Sequence, residues 1–147
     1  MAFQPDPNVI RWRVSLKSPI DKVYNTLATD EGRASFWAES AAAQDGVIHF
    51  VFPNGATWDG EILEQAPPHR IVVRYYGGSV SAFDLEEDGQ GGTLLTLTDT
   101  GVPDDDRVEV IAGWVSVLMA LKAAVDFGVE LRAHHPDRQW DNGFVEN

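Results

Sequence analysis

Five strand-like runs, joined by connections only a few residues long, constrain this chain more than any other feature. They cover Val47 to Phe52, Thr57 to Gln65, Arg70 to Tyr76, Ser79 to Glu87 and Thr93 to Thr100. Between them stand Pro53-Asn54-Gly55, Pro67-Pro68, Gly77-Gly78 and Asp88-Gly89-Gln90-Gly91-Gly92, residue types whose backbone preferences make tight turns. A parallel crossover needs about a dozen residues or more, so neighbours joined this tightly pair antiparallel. The expected product is an antiparallel meander.

What flanks the meander sets its shape. Upstream, Val9 to Lys17 alternates apolar Ile10, Trp12, Val14 and Leu16 with polar Arg11, Arg13, Ser15 and Lys17, the period of a strand with one wet face. Ser18-Pro19-Ile20-Asp21 then offers a cap, a proline at the first helical position and an acid three residues after the cap, which predicts a helix start. Ile20, Val23, Tyr24, Leu27 and Ala28 fall on one helical face. Asp30 is placed to cap a second short helix through Phe36 and Trp37.

Downstream, Pro103 and the acids Asp104, Asp105 and Asp106 precede a helix predicted to reach about Leu131. Carboxylates at a helix start cap free amides and complement the positive end of the dipole, so this acid run reads as a helix start rather than a metal site. Ile111, Trp114, Val115, Leu118, Leu121, Lys122 and Val125 share a face of that helix. About 26 residues span roughly 39 Å, longer than any of the strands, so a sheet that buries the rod must curve around it. The fold class is therefore α+β: a curved antiparallel sheet around a long C-terminal helix, with two short helices after the first strand. Residues 1–8 are expected to be a flexible segment, 9–131 the domain, and 132–147 a tail docked in part through Trp140, Phe144 and Val145.

Composition narrows the partners. At 147 residues with 44% hydrophobic and 10% aromatic side chains, the chain has material for one real core. A net charge of -12 opposes phosphate polyanions, so neither nucleic acid nor an anionic membrane is expected as a partner. The absence of cysteine excludes disulfides and thiolate chemistry and suits a reducing compartment. Pro5, Asp6 and Pro7 stand where a signal peptide would carry a basic and then an apolar stretch. The longest apolar run, Val110 to Leu121, is short of the ~20 residues of a bilayer span. A cytoplasmic location is expected.

No motif for a known chemistry emerges. Gly89-Gln90-Gly91-Gly92 lies between strands and lacks the lysine of a phosphate loop, and neither a nucleophile elbow nor a zinc helix is present. His134 and His135 lie near Asp137 without a third spaced ligand, so no metal and no cofactor are expected. His49 and His69 read as surface or satisfied histidines rather than general bases. Of the strand carboxylates Asp59, Glu61, Glu64, Asp84, Glu86 and Asp99, most should be solvated. Asp99 is the exception, because it continues the alternation of Leu95 and Leu97 toward the helix.

The element order resembles the helix-grip fold of the START-like or SRPBCC superfamily. Three signatures are similar to the branch of the activator of heat-shock-protein ATPase C-terminal domain. They are Ser18-Pro19 leading to Val23-Tyr24, Asp30-Glu31 and Phe36-Trp37; then Gly60-Glu61-Ile62-Leu63-Glu64 with Pro67-Pro68-His69-Arg70-Ile71; and Gly113-Trp114 with Leu118, Leu121 and Lys122. Together they cover roughly Val9 to Leu131. Where some relatives have a histidine near the end of the last strand, this chain has Asp99 ahead of Gly101-Val102-Pro103. The resemblance implies a cavity, and across the superfamily such cavities serve lipid carriers, hormone binders, polyketide cyclases and co-chaperone domains.

The site is therefore read from the residues. A sheet strongly curved around one helix leaves space that side chains do not readily fill. Strand aromatics Phe50, Phe52, Trp58, Tyr75 and Phe83 are candidates to line it, with Trp37 and Trp114 from the helical side. Aliphatic contacts are expected from Leu95, Leu97, Leu118 and Leu121, and Asp99 or Tyr75 is the candidate polar handle. Tyr75 and Tyr76 are expected on opposite strand faces, which admits one of them. The leading expectation is binding of a hydrophobic or aromatic small molecule. A cyclase- or hydrolase-like enzyme using the same cavity, with no catalytic residue assigned, comes second. A co-chaperone-like interaction domain comes third, because no partner module precedes the domain in these residues. A homodimer and a chaperone partner stay open.

Overall fold

A computed structural model describes residues 4–146; the expectation for segment 1–8 therefore falls partly outside the described residues. The order is β1 (Val9–Leu16), α1 (Ile20–Ala28), α2 (Asp30–Ala34), β2 (Ser40–Gln44), β3 (Val47–Val51), β4 (Thr57–Ala66), β5 (Arg70–Arg74), β6 (Val80–Glu87), β7 (Thr93–Thr100) and α3 (Arg107–Phe127). All seven strands form one antiparallel sheet in the order β1-β7-β6-β5-β4-β3-β2. The meander is as the connections predicted, and β1 returns beside β7 to complete it.

Alternation fixes which face meets α3. Along β7, Thr93, Leu95, Leu97 and Asp99 are buried while Leu94, Thr96, Thr98 and Thr100 are half-exposed, as a period of two requires. Asp99 pairs with Ile10 of β1 and Ser81 of β6, at the same end of the sheet as β5's Arg74, which pairs with Val80. On β4, Gly60 lets the sheet close over its core: a Cβ there would meet the Phe50 ring at 2.9 Å and the Arg74 carbonyl at 3.0 Å.

Helix α3 is apolar around its whole circumference. By length and composition Asp104–Phe127, whose most apolar 18-residue stretch has a mean hydropathy of 1.8, would reach across a bilayer, a test that the core helix of a soluble protein also passes. Here Trp114, Leu118, Leu121 and Val125 are buried, in one core with Phe50, Phe83, Leu95 and Leu97. Val115, predicted on that face, is 42% exposed, because the buried face is centred on the 114-118-121-125 row and Val115 lies about 100° away from Trp114.

Three local expectations are corrected. Helix α3 ends at Phe127 rather than Leu131, because Gly128 takes the left-handed conformation (φ 63°) and its amide closes on the carbonyls of Ala123 and Ala124. Ser18 does not cap α1, which begins at Ile20 after Pro19; its hydroxyl reaches Val125 O at 2.9 Å and Asp126 Oδ1 at 2.8 Å. Thr29, not Asp30, caps α2 by accepting from the Gly32 amide at 3.0 Å, and the helix stops before Phe36 and Trp37. Strand β2 has no counterpart in the sequence reading: Ser40–Gln44 carries three alanines, and only Ala41 is buried.

Asp126 ties the end of α3 to the start of α1. Its fully buried carboxylate accepts from the amides of Lys17 and Ser18 at 2.9 and 3.1 Å and pairs with Lys122 at 3.1 Å. Burial opposes its charge, but these donors outweigh burial and hold its pKa below the usual carboxylate value. A depressed folded pKa contributes stability that is present above the unfolded pKa, about 3.9, and lost as pH falls through the folded one. We expect Asp126→Ala to cost on the order of 1–3 kcal/mol at neutral pH, read as a lower denaturation midpoint. The difference from the parent should shrink in acid; an equal midpoint at neutral pH would contradict the tie.

Candidate functional site

A cavity of about 540 Å³ lies between the first half of α3, the ends of β4 and β5, and the C-terminal segment. That volume is in the range of small-molecule sites. From the sheet side come Phe52, Trp58, Tyr75 and Tyr76, and Trp37 comes from the loop after α2. Helix α3 supplies Val110, Gly113, Trp114 and Val117. Trp140, Phe144 and Val145 of the C-terminal segment complete the wall.

Trp37 organises the aromatic cluster. Its ring meets those of Phe50 at 4.9 Å, Tyr75 at 5.3 Å, Phe83 at 5.4 Å and Trp114 at 5.9 Å, mostly tilted or edge-on. Such geometry places positive ring edges on negative faces and adds roughly 0.5–1.5 kcal/mol per pair beyond burial. Its indole donates to the Tyr75 hydroxyl at 3.0 Å. The Trp58 indole also acts on that hydroxyl, although its buried N–H completes no hydrogen bond among the described residues. Burial, with the negative field of Asp99 adding to it, pushes the Tyr75 hydroxyl far above its ordinary value, so it stays protonated.

Asp99 forms the polar floor. It is 1% exposed, accepts from Trp114 Nε1 at 2.8 Å and Ser81 Oγ at 3.0 Å, and Ser79 adds a third stabilising contact. Burial outweighs these donors and raises its pKa; no cationic side chain acts on it. Two carboxylates, Asp99 and the exposed Glu109 at the rim, line the cavity, and no basic residue does.

The structure brings together Trp37, Phe52, Trp58, Tyr75, Asp99 and Trp114 of the candidate residues. It places Phe50, Phe83, Leu95, Leu97, Leu118 and Leu121 beneath them, in the packed core and off the cavity wall. The reason is rotational: the 114-118-121 row of α3 faces the sheet, and a neighbouring row, 110-113-117, faces the cavity. Tyr75 and Tyr76 do not divide between two faces as expected. Strand β5 stops at Arg74, and the turn at Tyr76–Gly78 brings both rings to the wall, with Tyr76 edge-on to Trp58 at 5.3 Å. Sequence reasoning missed Tyr76, Val110, Val117 and Ser79. Spacing of 110, 113, 114 and 117 was the available signal for a second buried helical face.

The C-terminal wall is anchored chemically. Trp140 meets Phe52 edge-on at 5.4 Å, and Arg132 donates to the carbonyls of Ala34 and Ala38, both at 2.7 Å. Burial works against the Glu130 carboxylate, but Arg132 and His134 hold it down at about 2. His134 faces Glu39 at 2.6 Å through Nδ1 and Glu130 at 3.1 Å through Nε2; its two nitrogens diverge and do not converge on an ion. No group of three or more His, Asp or Glu side chains among the described residues is arranged to hold a metal. His49 bonds Asp59 across β3 and β4 in solvent, and His69 approaches Leu85 O; neither lines the cavity.

The Activator of Hsp90 ATPase homolog 1-like protein family model matches residues 17–126. Among solved structures, the Aha1 dimer from Colwellia psychrerythraea is 23% identical, with a TM-score of 0.73 over 82% of this chain and 97% of that one. A protein from Staphylococcus saprophyticus is likewise 23% identical, with a TM-score of 0.73 over 85% of this chain and 96% of that one. A putative protein in the dynemicin biosynthetic locus is 21% identical, with a TM-score of 0.70 over 86% of this chain and 49% of that one. At these identities the likeness shows the fold. No curated protein matches the chain.

Because burial raises the Asp99 pKa, its contribution to stability is fully present below the unfolded pKa and lost as pH rises through the folded one. Asp99→Asn keeps the shape and an acceptor for Trp114 while removing the charge. We expect the variant to melt higher than the parent at neutral pH and to lose that advantage in acid. A variant that melts lower at every pH would show that the carboxylate is fully compensated where it stands.

Proposed function

The chain belongs to the Activator of Hsp90 ATPase homolog 1-like family, and from that premise we propose that it is a cytoplasmic binding module for a hydrophobic or aromatic small molecule. One observation carries this reading: the aromatic-walled cavity of about 540 Å³ with a buried polar floor at Asp99 and Ser79. Apolar walls supply affinity through area removed from water, and a few fixed polar groups orient the guest. Trp58, with its unpaired N–H, and Asp99 are the groups that would orient it.

A second reading, a cyclase- or hydrolase-like enzyme in the same cavity, is supported by Asp99 as a desolvated carboxyl suited to proton transfer. Turnover of a captured natural ligand by the parent but not by Asp99→Asn would move the assignment there. A chaperone-facing role rests on the family description alone. For assembly, Val108, Val115 and Met119 form an exposed apolar row on α3, and the dimeric Colwellia neighbour leads us to propose a second copy against it. Sedimentation equilibrium decides between one copy and two.

Gly113 gives the sharpest test of the cavity. It lines the wall, and a Cβ built there meets nothing within 4 Å. Gly113→Phe should fill the space and abolish binding of a neutral apolar probe such as naphthylmethanol. Stability should hold or rise, since glycine inside a helix costs roughly 0.5–1 kcal/mol relative to alanine. Unchanged probe binding, or a parent that binds no apolar probe, would overturn the proposed function.

A further inference from the structure

We infer that the cavity selects a positively charged guest, a hydrophobic amine in its ammonium form, over neutral and anionic molecules of the same shape. This rests on the small-molecule reading above and names the chemical class of its ligand. The lining is unbalanced in charge: eight of its residues are aromatic, two are acids and none is basic. A carboxylate buried to 1% exposure is ordinarily met by a cation, because an unpaired buried charge loses more solvation than hydrogen bonds return. In this chain Asp99 has one indole donor, Trp114, and two hydroxyl donors, Ser81 and Ser79, and no ion-pair partner among the described residues. With Ser79 as a third donor, three of the roughly four acceptor positions of the carboxylate are taken and one is left for a guest.

The rings around it favour the same sign. Tyr75 and Trp114 lie 5.5 Å apart at the floor, and Trp37 meets both. Their faces carry negative quadrupole potential, which attracts an ammonium and repels a carboxylate, most strongly where water is excluded. Glu109 adds a second negative charge at the rim. The chain's net charge of -12 draws cations toward it and turns anions away. A fatty acid, an acidic polyketide or a phosphate ester would enter a cavity with no basic side chain to receive it. An amine supplies the charge that Asp99 lacks.

The test compares three molecules of one shape by calorimetry at neutral pH: naphthylmethylammonium, naphthylmethanol and naphthoate. We expect the ammonium to bind at least about tenfold more tightly than the alcohol, and naphthoate to bind most weakly. Asp99→Asn should lower the ammonium-to-alcohol ratio severalfold, with the larger loss on the ammonium side. If that variant does not fold, Glu109→Gln at the exposed rim should still lower the ratio. Equal binding of all three, tightest binding of naphthoate, or a ratio unmoved by the foldable variants would overturn charge selection and leave an unselective apolar cavity standing. Failure of all three to bind would overturn both this inference and the proposed function.

Discussion

The hydrogen bond from the Trp114 indole to the Asp99 carboxylate, 2.8 Å long and buried, joins the long helix to the last strand of the sheet. A curved sheet and an all-round apolar helix make a non-directional contact, since burial rewards many rotations of the helix equally. Directional bonds remove that freedom: the indole N–H, with the Asp126 tie at the other end, sets α3 so that Trp114, Leu118 and Leu121 face the sheet and Val110, Gly113 and Val117 face the cavity. The aromatic cluster around Trp37 then packs against a helix whose rotation is already fixed.

A cavity persists beside this close-packed core because the core is full and the walls are separately anchored. Under Trp37, the rings of Phe50 and Phe83 and the side chains of Leu95, Leu97 and Leu121 are fully buried, leaving no space to collapse into. Above it, the wall is built from elements of different origin, the start of α3, the β5–β6 turn and the C-terminal segment. Two of them are held by polar anchors: α3 by Asp126 at its far end, and the segment by Arg132 with Glu130 and His134. Rigid anchors at separate places keep the walls apart. The cost is concentrated at Asp99, whose charge the chain leaves uncompensated, and strain of that kind in a cleft is characteristic of sites that bind or react.

Much of this was legible in the sequence, and what was not has physical reasons. Strands β1 and β7 were readable because their buried faces alternate strictly, and Asp99 was found because it continues the alternation of Leu95 and Leu97. Strand β2 was not, since three alanines carry too little hydrophobic contrast to show a period. Gly128 ended α3 earlier than expected because Val129 and Leu131 prolong the apolar pattern beyond the point where the backbone turns left-handed. The division of candidates between core and cavity was the hardest part. Leu118 and Trp114 share a helical face, yet only the larger ring reaches the wall, and periodicity reports that a face is buried without saying what it is buried against. Trp140 and Phe144 closed the site from a segment whose docking the sequence suggested but whose location it did not encode.

The five tryptophans report directly on whether the aromatic cavity admits a small apolar guest. Their indole N–H resonances can be followed separately by nuclear magnetic resonance while naphthylmethanol is titrated into the isotopically labelled protein. Trp37, Trp58, Trp114 and Trp140 line the cavity, whereas Trp12 donates to Ile111 O away from that wall. Saturable shifts are expected at the four cavity indoles, largest at Trp58, with Trp12 nearly still. Unmoved cavity signals at saturating probe, or shifts confined to Trp12, would contradict binding in the cavity.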